Sequence, residues 1–465
     1  MQTVRLYNTM SRMVEEVVPV EPGRISIYCC GPTVYDYAHI GNLRKYACDD
    51  VLVRTLRHAG YDVTHVMNIT DVDDKIIKAA PGGIEAIRAY TKPYAEAFLQ
   101  DCATLRVTRP DIICAATEHV DEMVALVQRL IDRGVAYRSD GSWYFRIADF
   151  PDYGKLAHLD SAGIKPGARV EVDEYEKDDV RDFALWKAHK PGEVYWDTPL
   201  GRGRPGWHVE CSAMSMRYLG ETFDLHTGGV DNCFPHHENE IAQSEAATGK
   251  PFVKYWVHHE HLLMDAEKMA KSLGNTRGLR DIIAQGHDPL AIRYLLESAH
   301  NRTQLNFTGE AIEQARQTVR GLQDFVRRVG EATPSAQAPD ELAEAAAAAR
   351  EGFFDNLYND LQMPQALARM FDLVKRTNIA LQNKTCTRAD LVAVADAMND
   401  FDSIIDVLDP GTEEVLNGEV ERLIEERAEA RKARDWAGAD AVRDRLSALG
   451  ILLEDTADGT RWRRA

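Results

Sequence analysis

The stretch that most limits how this chain can fold is Ile25-Ser26-Ile27-Tyr28, followed by the run from Cys30 to Asn42. The first four residues are mostly apolar and rich in isoleucine, so they read as a short buried strand. Gly31-Pro32 ends that strand, because proline lacks the N–H a central ladder needs. Beyond it, the spacing of Leu43, Ala47 and Val51 predicts a helix. A strand, a loop and a helix near the start of an α/β chain form the usual seat for nucleotide phosphates, held on the helix's first free amides. Gly41 lets backbone approach a ligand there. His39 and Asn42 place polar groups about one turn apart on one face.

The pattern continues in the same style to about residue 112. Strands at Ile25–Cys29 and Val63–Ile69 alternate with helices at His39–Ala59 and Thr91–Ala103, which implies a parallel sheet. Thr70 follows the second strand, at the sheet's carboxyl edge where ligands bind. Asp71, Asp73 and Asp74 read as carboxylates at a helix start rather than as a metal site. Residues 113–200 change character: a helix at Glu118–Arg133, then a hairpin around the Ser139-Asp140-Gly141 turn, then the charged run Gly163–Asp182. From 201 to 308 the α/β pattern resumes. Phe223–His226 reads as a strand, and Thr227-Gly228-Gly229-Val230-Asp231 as a Gly-rich turn whose single carboxylate suits a ribose hydroxyl. Residues 309–406 carry amphipathic helical spacing broken by the Pro/Ala-rich stretch Glu331–Pro339, a helical bundle with a linker. The tail, 407–465, gives a charged helix over Val420–Leu449 and a hairpin ending in Arg461-Trp462-Arg463-Arg464, a chemistry suited to unpaired RNA.

Composition bounds the class. The chain has 465 residues, 45% hydrophobic and 28% charged, enough for several domains of an ordinary globular protein. No signal peptide and no run of 18 apolar residues is present, so no membrane association is expected. Eight cysteines without a CxxC pair argue for a reducing cytoplasm over a disulfide framework. A net charge of −19 argues mildly against a nucleic-acid partner, although phosphate contacts need only a local basic face.

Two further groups carry chemistry. Lys268 and Lys271 stand three apart in Glu267-Lys268-Met269-Ala270-Lys271-Ser272, beside the breaker Gly274-Asn275. His236 and Glu240, four apart, share a helix face, and Cys30 and Cys211 lie near strand ends. These four could converge as a tetrahedral zinc set. The run His236-His237-Glu238-Asn239-Glu240 offers His237 and Glu238 as competing ligands.

Taken together, the His39 and Lys268–Lys271 stretches resemble the two signatures of class I aminoacyl-tRNA synthetases. The first is a strand leading to His-Ile-Gly-His, the second a mobile Lys-Met-Ser-Lys-Ser loop. The chain is more specifically similar to the cysteinyl-tRNA synthetases. That likeness rests on Tyr28-Cys29-Cys30-Gly31, Asn68–Lys75, Gly206-Trp207-His208-Val209-Glu210-Cys211-Ser212-Ala213-Met214 and Phe234–Glu240.

The resemblance implies an α/β fold: a Rossmann-like parallel sheet in two halves (1–112 and 201–308), a connective insertion, a helical bundle and a small α+β anticodon-binding domain. It implies ATP-dependent activation of L-cysteine to the adenylate and transfer to tRNA(Cys). His39, Asn42, Lys268 and Lys271 take catalytic roles; Gly31, Thr33, Gly41, Gly229, Asp231 and Lys271 bind ATP or adenylate; Thr70 and Trp207 bind cysteine. Zn²⁺ sits on Cys30, Cys211, His236 and Glu240, and Mg²⁺ arrives with ATP. A cytoplasmic monomer is expected. Asn42 stands where the motif has its second histidine and Ala270 where the loop has serine, departures that suggest slower adenylation. Two rivals remain at this level: a cysteine ligase of mycothiol synthesis, which joins cysteine to an amino-sugar, and a non-catalytic paralogue.

Overall fold

A computed structural model describes residues 1–159, 181–264, 267–268, 277–335, 341–409, 423–424, 426–427, 430, 435–448, 451–456 and 459–464. Ala270 and Lys271, singled out above, lie outside them, as do Arg169 and Lys177 of the charged run Gly163–Asp182, and of Lys268 only the backbone is described. The chain forms two compact units, Met1–Leu408 and Asp409–Ala465.

The first unit opens on an antiparallel hairpin, β1 (Arg5–Asn8) and β2 (Met13–Glu16). Then come β3 (Arg24–Cys29), α1 (Ile40–His58), β4 (Asp62–Ile69), α2 (Asp74–Ala79), α3 (Ile84–Thr104) and β5 (Ile112–Ala115). After α4 (Val120–Asp132), the strands β6 (Ala136–Ser139), β7 (Ser142–Phe145), β8 (Phe183–Ala188) and β9 (Gly203–Pro205) build a separate four-stranded antiparallel sheet. That sheet runs past residue 200, because Trp186 pairs with Pro205. The chain returns through α5 (Trp207–Leu219), β10 (Phe223–Gly229), α6 (Glu238–Thr248) and β11 (Val253–His259).

Five parallel strands make the central sheet in the order β11-β10-β3-β4-β5. From β3 the chain steps to β4 on one side and only later to β10 on the other. The order therefore reverses between β3 and β10, and the crevice at their carboxyl ends is the topological switch point where open α/β sheets bind ligands. Residues immediately after these two strands, Cys30 onward and Gly229 onward, are placed there by topology alone.

α1 is set by its cap. His39 stands at the N-cap, its Nδ1 accepting the Asn42 backbone N–H (3.3 Å), while the Asn42 side-chain oxygen accepts the His39 N–H (3.2 Å). This reciprocal arrangement satisfies two of the donors a helix start leaves open. Asp73 caps α2 by accepting from Ile76 N–H at 2.7 Å. Asp71 takes the Thr117 N–H and hydroxyl, and Asp74 pairs with Lys187 and Arg204. All three carboxylates are structural.

The rest of the unit supports α1 from behind. β12 (Leu262–Met264), β13 (Glu267–Lys268), α7 (Leu279–Ala284), α8 (Pro289–Ser298) and β14 (Leu305–Phe307) lead into the bundle of α9 (Gly309–Glu331), α10 (Glu341–Tyr358), α11 (Met363–Asn383) and α12 (Arg388–Ile405). One apolar core joins the sheet's Ile25, Ile27 and Leu225 to Phe325, Phe353 and Phe401 of the bundle. The second unit has α13 (Trp436–Ala448) and an antiparallel pair, β15 (Ile451–Thr456) and β16 (Gly459–Arg464), with Leu453 opposite Trp462. Of the single helix anticipated over Val420–Leu449, α13 is the last part; Leu423, Ile424, Glu426, Arg427 and Ala430 are also helical, Asp435 is not, and 420–422, 425, 428–429, 431–434 and 449 lie outside the described residues.

Candidate active site and metal centre

At the switch point lies a cavity of about 350 Å³. Its walls come from both sides of the β3–β10 boundary. Cys30, Gly31, Thr33, His39, Gly41 and Asn42 follow β3; Thr70 follows β4; Trp207 and Cys211 begin α5; Gly229, Asp231 and His236 follow β10. Every nucleotide- and cysteine-binding residue named from the sequence that lies among the described residues lines it.

Backbone pairing outside the sheet holds these loops together. Val34 N–H donates to the Thr70 carbonyl and Thr70 N–H to the Pro32 carbonyl, both at 3.0 Å. Gly31 has no room for a side chain, since a Cβ there would fall 1.5 Å from the Asn68 carbonyl oxygen. The need for glycine is thus set by loop-to-loop packing as well as by the ligand. Asn68 finishes the junction: its oxygen takes the Gly31 N–H (2.7 Å) and its amide donates to Thr70 Oγ1 (3.1 Å). Across the cavity mouth, Ile40 N–H donates to the Arg277 carbonyl at 2.9 Å, and His39 pairs with Gly278. The first described residues after the lysine segment, Arg277 and Gly278, thus pair with the backbone of the His39 motif.

His39 has a defined tautomer. Because its Nδ1 accepts a backbone N–H, the neutral ring carries its proton on Nε2, which leaves that N–H as the donor.

The sulfur end of the cavity is different in kind. Cys30, Cys211, His236 and Glu240 are all buried, and one ligand atom from each lies within 4.8 Å of all the others. His236 Nε2 is 3.0 Å from Glu240 Oε1, yet that oxygen makes no aligned hydrogen bond. A buried carboxylate oxygen without a donor is costly unless something else meets it. Two thiols, an imidazole and a carboxylate around one point are the donor set of zinc. The residues fit the ion.

Electrostatics agree. The hydrogen bond from Cys211 and the nearby His236 hold the Cys30 thiol well below its usual range, against burial. Cys211 is pushed up, by Cys30 and by burial. Burial would lower His236, but Glu240 and Cys30 raise it to about 10. The Glu240 carboxyl is lowered despite its burial, by His226 and His236. A metal ion bound by the imidazole would reverse the rise at His236, because the ligand nitrogen must be unprotonated.

Of the two competing ligands, one is committed elsewhere and the other stays beside the cluster. Glu238 accepts backbone N–H groups from Gly154 (2.8 Å), Leu156 (3.0 Å) and Ala157 (2.9 Å), so its carboxylate is committed. His237 sits near the centre, its Nε2 3.4 Å from Cys30 Sγ. Trp207 stacks on His236 with ring centroids 4.4 Å apart, which joins the cysteine-binding candidate to the metal cluster.

Several supporting residues escaped the sequence reading. His226 Nε2 lies 3.0 Å from Glu240 Oε2, and His208 Nδ1 lies 3.0 Å from His236 Nδ1. Beneath the loop, Lys45 Nζ donates to the Cys30 carbonyl (2.8 Å) and pairs with Asp49 (2.9 Å), which also meets His259 Nε2 (2.9 Å). The i,i+4 spacing of Lys45 and Asp49 was the only signal in the sequence.

Comparison with known proteins gives the same answer. Residues 16–317 match the model of the tRNA synthetases class I (C) catalytic domain, and 414–463 match the cysteinyl-tRNA ligase anticodon binding domain. A cysteine–tRNA ligase of Solibacter usitatus (strain Ellin6076) is 50% identical over 99% of both chains. That of Chlamydia pneumoniae is 45% identical over 98% of this chain and 97% of its own. Among solved structures, Mycobacterium tuberculosis methionyl-tRNA synthetase with methionyl-adenylate covers 90% of this chain and 96% of its own. The TM-score is 0.59 at 16% identity, a likeness of fold. The parallel sheet, the loops at its switch point and these matches together place the chain in the cysteine–tRNA ligase family of class I tRNA synthetases.

Proposed function

We propose that this enzyme activates L-cysteine with ATP and transfers the cysteinyl group to tRNA(Cys), with each step assigned to the cavity at the switch point. The observation that carries the reading is the convergence of Cys30, Cys211, His236 and Glu240 beside Trp207 and Thr70.

In the first step the cysteine carboxylate attacks the α-phosphorus of ATP and pyrophosphate leaves. Such a reaction needs positioning and charge stabilisation more than covalent help. His39 offers Nε2–H to the phosphates, and Gly31, Thr33, Gly41 and Asn42 line the same wall. Asp231 and Gly229 receive the ribose. Lys268 and Lys271 close over the departing pyrophosphate, with Mg²⁺ held by phosphate oxygens and water. Thr70 and Trp207 hold the amino acid. Zinc bound by Cys30, Cys211, His236 and Glu240 supplies a Lewis-acidic position that prefers a thiol to a hydroxyl. In this reading residues 113–200 form the connective insertion near the acceptor end of tRNA, 309–406 the bundle, and 407–465 the anticodon contact. The enzyme is taken to be a cytoplasmic monomer. No helix of the described residues is long and apolar enough to cross a membrane.

The match of the tail to an anticodon-binding model favours tRNA over the amino-sugar of a mycothiol-type ligase. ATP–pyrophosphate exchange across the amino acids, followed by charging of unfractionated tRNA, tests both steps. Cysteine alone should drive exchange, and tRNA should be charged. Exchange without charging would leave the tRNA assignment untenable.

A further inference from the structure

The metal cluster contains a second donor set. Cys30, His226, His237 and Glu240 also bring one ligand atom each to within 4.8 Å of all the others, every residue buried. Two members, Cys30 and Glu240, belong to both sets, so a single ion can occupy one or the other at a time.

The second set is equipped as a ligand shell. A histidine ligand needs its inward nitrogen unprotonated, which holds when its outer N–H has an acceptor. His237 has one: its Nδ1 lies 2.8 Å from His258 Nε2, and His258 Nδ1 lies 2.8 Å from Thr9 Oγ1. A proton on each Nδ1 completes that chain and frees His237 Nε2, 3.4 Å from Cys30 Sγ. His226 has the Thr227 carbonyl 3.4 Å from its Nδ1, which frees Nε2 at 3.0 Å from Glu240 Oε2. The His226 ring is clamped by stacking on Trp256 (centroids 4.7 Å apart). Both histidines are 0% exposed.

The two sets differ in what they face. Of the first, Cys30, Cys211 and His236 line the substrate cavity; of the second, only Cys30 does. We infer that the cluster holds a borderline-soft divalent cation in two overlapping seats. The forward seat (Cys30, Cys211, His236, Glu240) faces the substrate, and the withdrawn seat (Cys30, His226, His237, Glu240) retains the ion behind it. In the withdrawn seat the ion has one thiolate in place of two and has left the cavity wall. It is kept by the protein yet unavailable to a substrate thiol. The withdrawn seat therefore preserves the ion when Cys211 or His236 is disengaged.

This inference rests on the forward metal reading, and cobalt(II) separates the two. Full-length protein is stripped of metal and titrated with cobalt(II), whose visible bands report tetrahedral geometry and whose charge-transfer intensity counts thiolates. The wild type should take one ion with a two-thiolate spectrum; absence of that spectrum would remove the forward seat itself. Cys211→Ala/His236→Ala, which retains only the two shared ligands of that seat, should still take one tetrahedral cobalt with about half the charge-transfer intensity, as for one sulfur in place of two. Adding His237→Gln should abolish that binding, whereas His237→Gln alone should leave the two-thiolate spectrum in place. Should the alanine pair disturb packing, Cys211→Ser/His236→Asn keeps the shape, and zinc-edge anomalous scattering from its crystals should place the ion between His226 and His237. A forward-seat double variant that binds no tetrahedral metal, or one indifferent to His237→Gln, overturns the second seat.

Discussion

Two buried polar clusters flank α1, and they resolve the same electrostatic problem in opposite ways. One is the metal centre. The other lies on the far side of the helix. There Arg293, 0% exposed, donates to Asp50 Oδ2 (2.8 Å) and to the carbonyls of Leu105 (2.8 Å) and Ile405 (2.7 Å), with Glu297 2.9 Å away. Arg54 adds a second bond to Asp50 (2.8 Å) and reaches Asp406 (2.9 Å). Here Asp50 is met by two resident guanidinium cations, whose planar forks suit several acceptors at once. At the metal centre, among the described residues, Glu240 faces the imidazoles of His226 and His236 and no guanidinium, and Lys45 reaches only the Cys30 carbonyl. A buried acidic cluster with its own arginines is a structural lock. One whose remaining groups are thiols and imidazoles is a seat for a cation from outside. Substitutions in each should therefore fail in different currencies.

The largest effect is expected from Cys30→Ala. Losing a ligand common to both seats should strip the metal and slow cysteine-dependent pyrophosphate exchange on the order of 10³-fold, about 4 kcal/mol of transition-state stabilisation. Stability should remain within about 1 kcal/mol of the metal-free parent, because a single sulfur is lost and His236 keeps Glu240 as its partner. If unfolding shifts strongly while exchange per folded molecule persists, the cluster is a lock after all.

Arg293→Met is the converse. It leaves Asp50 buried with one of its two cations gone, so a loss of about 3–5 kcal/mol in unfolding free energy is expected. Exchange per folded molecule should be preserved, since Arg293 touches no wall of the cavity. The pH response follows from sign. Burial alone would raise the Asp50 carboxyl, but Arg293 and Arg54 hold it below its ordinary value. A depressed carboxyl contributes stability that is fully present above its unfolded pKa and is lost as pH falls through the folded one. Without Arg293 the folded value rises, and acid unfolding should begin at higher pH than in the wild type. Identical acid midpoints would show that Arg54 alone holds Asp50.

How far each cluster could be read beforehand depends on sequence distance. The His39–Asn42 motif is contiguous, so helix spacing and glycine chemistry exposed it directly. The parallel sheet followed from alternation alone. The metal quartet draws on three separated segments, and the residues themselves left His236 against His237 and Glu238 against Glu240 undecided. Burial settled Glu238, whose oxygens are taken by the backbone of Gly154, Leu156 and Ala157. That segment lies far away in the chain and carries no side-chain signature. The arginine lock was invisible for the same reason: Arg293 binds carbonyl groups, which every residue has. Lys268 and Lys271 show the opposite case, plain in the sequence but unsupported by described side-chain geometry.

A smaller effect should come from His208→Ala. His208 touches the quartet only through His236, whose Nδ1 lies 3.0 Å from its own. Removing such an outer partner typically weakens metal binding about 10–100-fold by freeing the ligand ring and its tautomer. Chelator competition measures it. Unchanged affinity would mean that stacking of Trp207 on His236 is enough to orient the ring.

The smallest effect concerns Asn42, where the family motif has histidine. Its side-chain oxygen accepts the His39 N–H, and His39 Nδ1 accepts its backbone N–H. Asn42→Ala deletes one arm of this cap, which is worth about 1 kcal/mol at a helix start. His39 then loses part of the restraint that directs Nε2–H into the cavity, and exchange should slow about fivefold, the kinetic equivalent of 1 kcal/mol. Asn42→His restores the motif's imidazole. An unprotonated nitrogen there can still accept the His39 N–H, while the other nitrogen adds a donor toward the phosphates. Exchange should then rise above the parent's, by about twofold if half of one such kcal/mol is realised in the transition state. An alanine variant as fast as the parent would show that the backbone pairing of His39 with Gly278 is sufficient to hold the ring. A histidine variant no faster would show that Asn42 serves this cavity as a cap and not as a phosphate ligand.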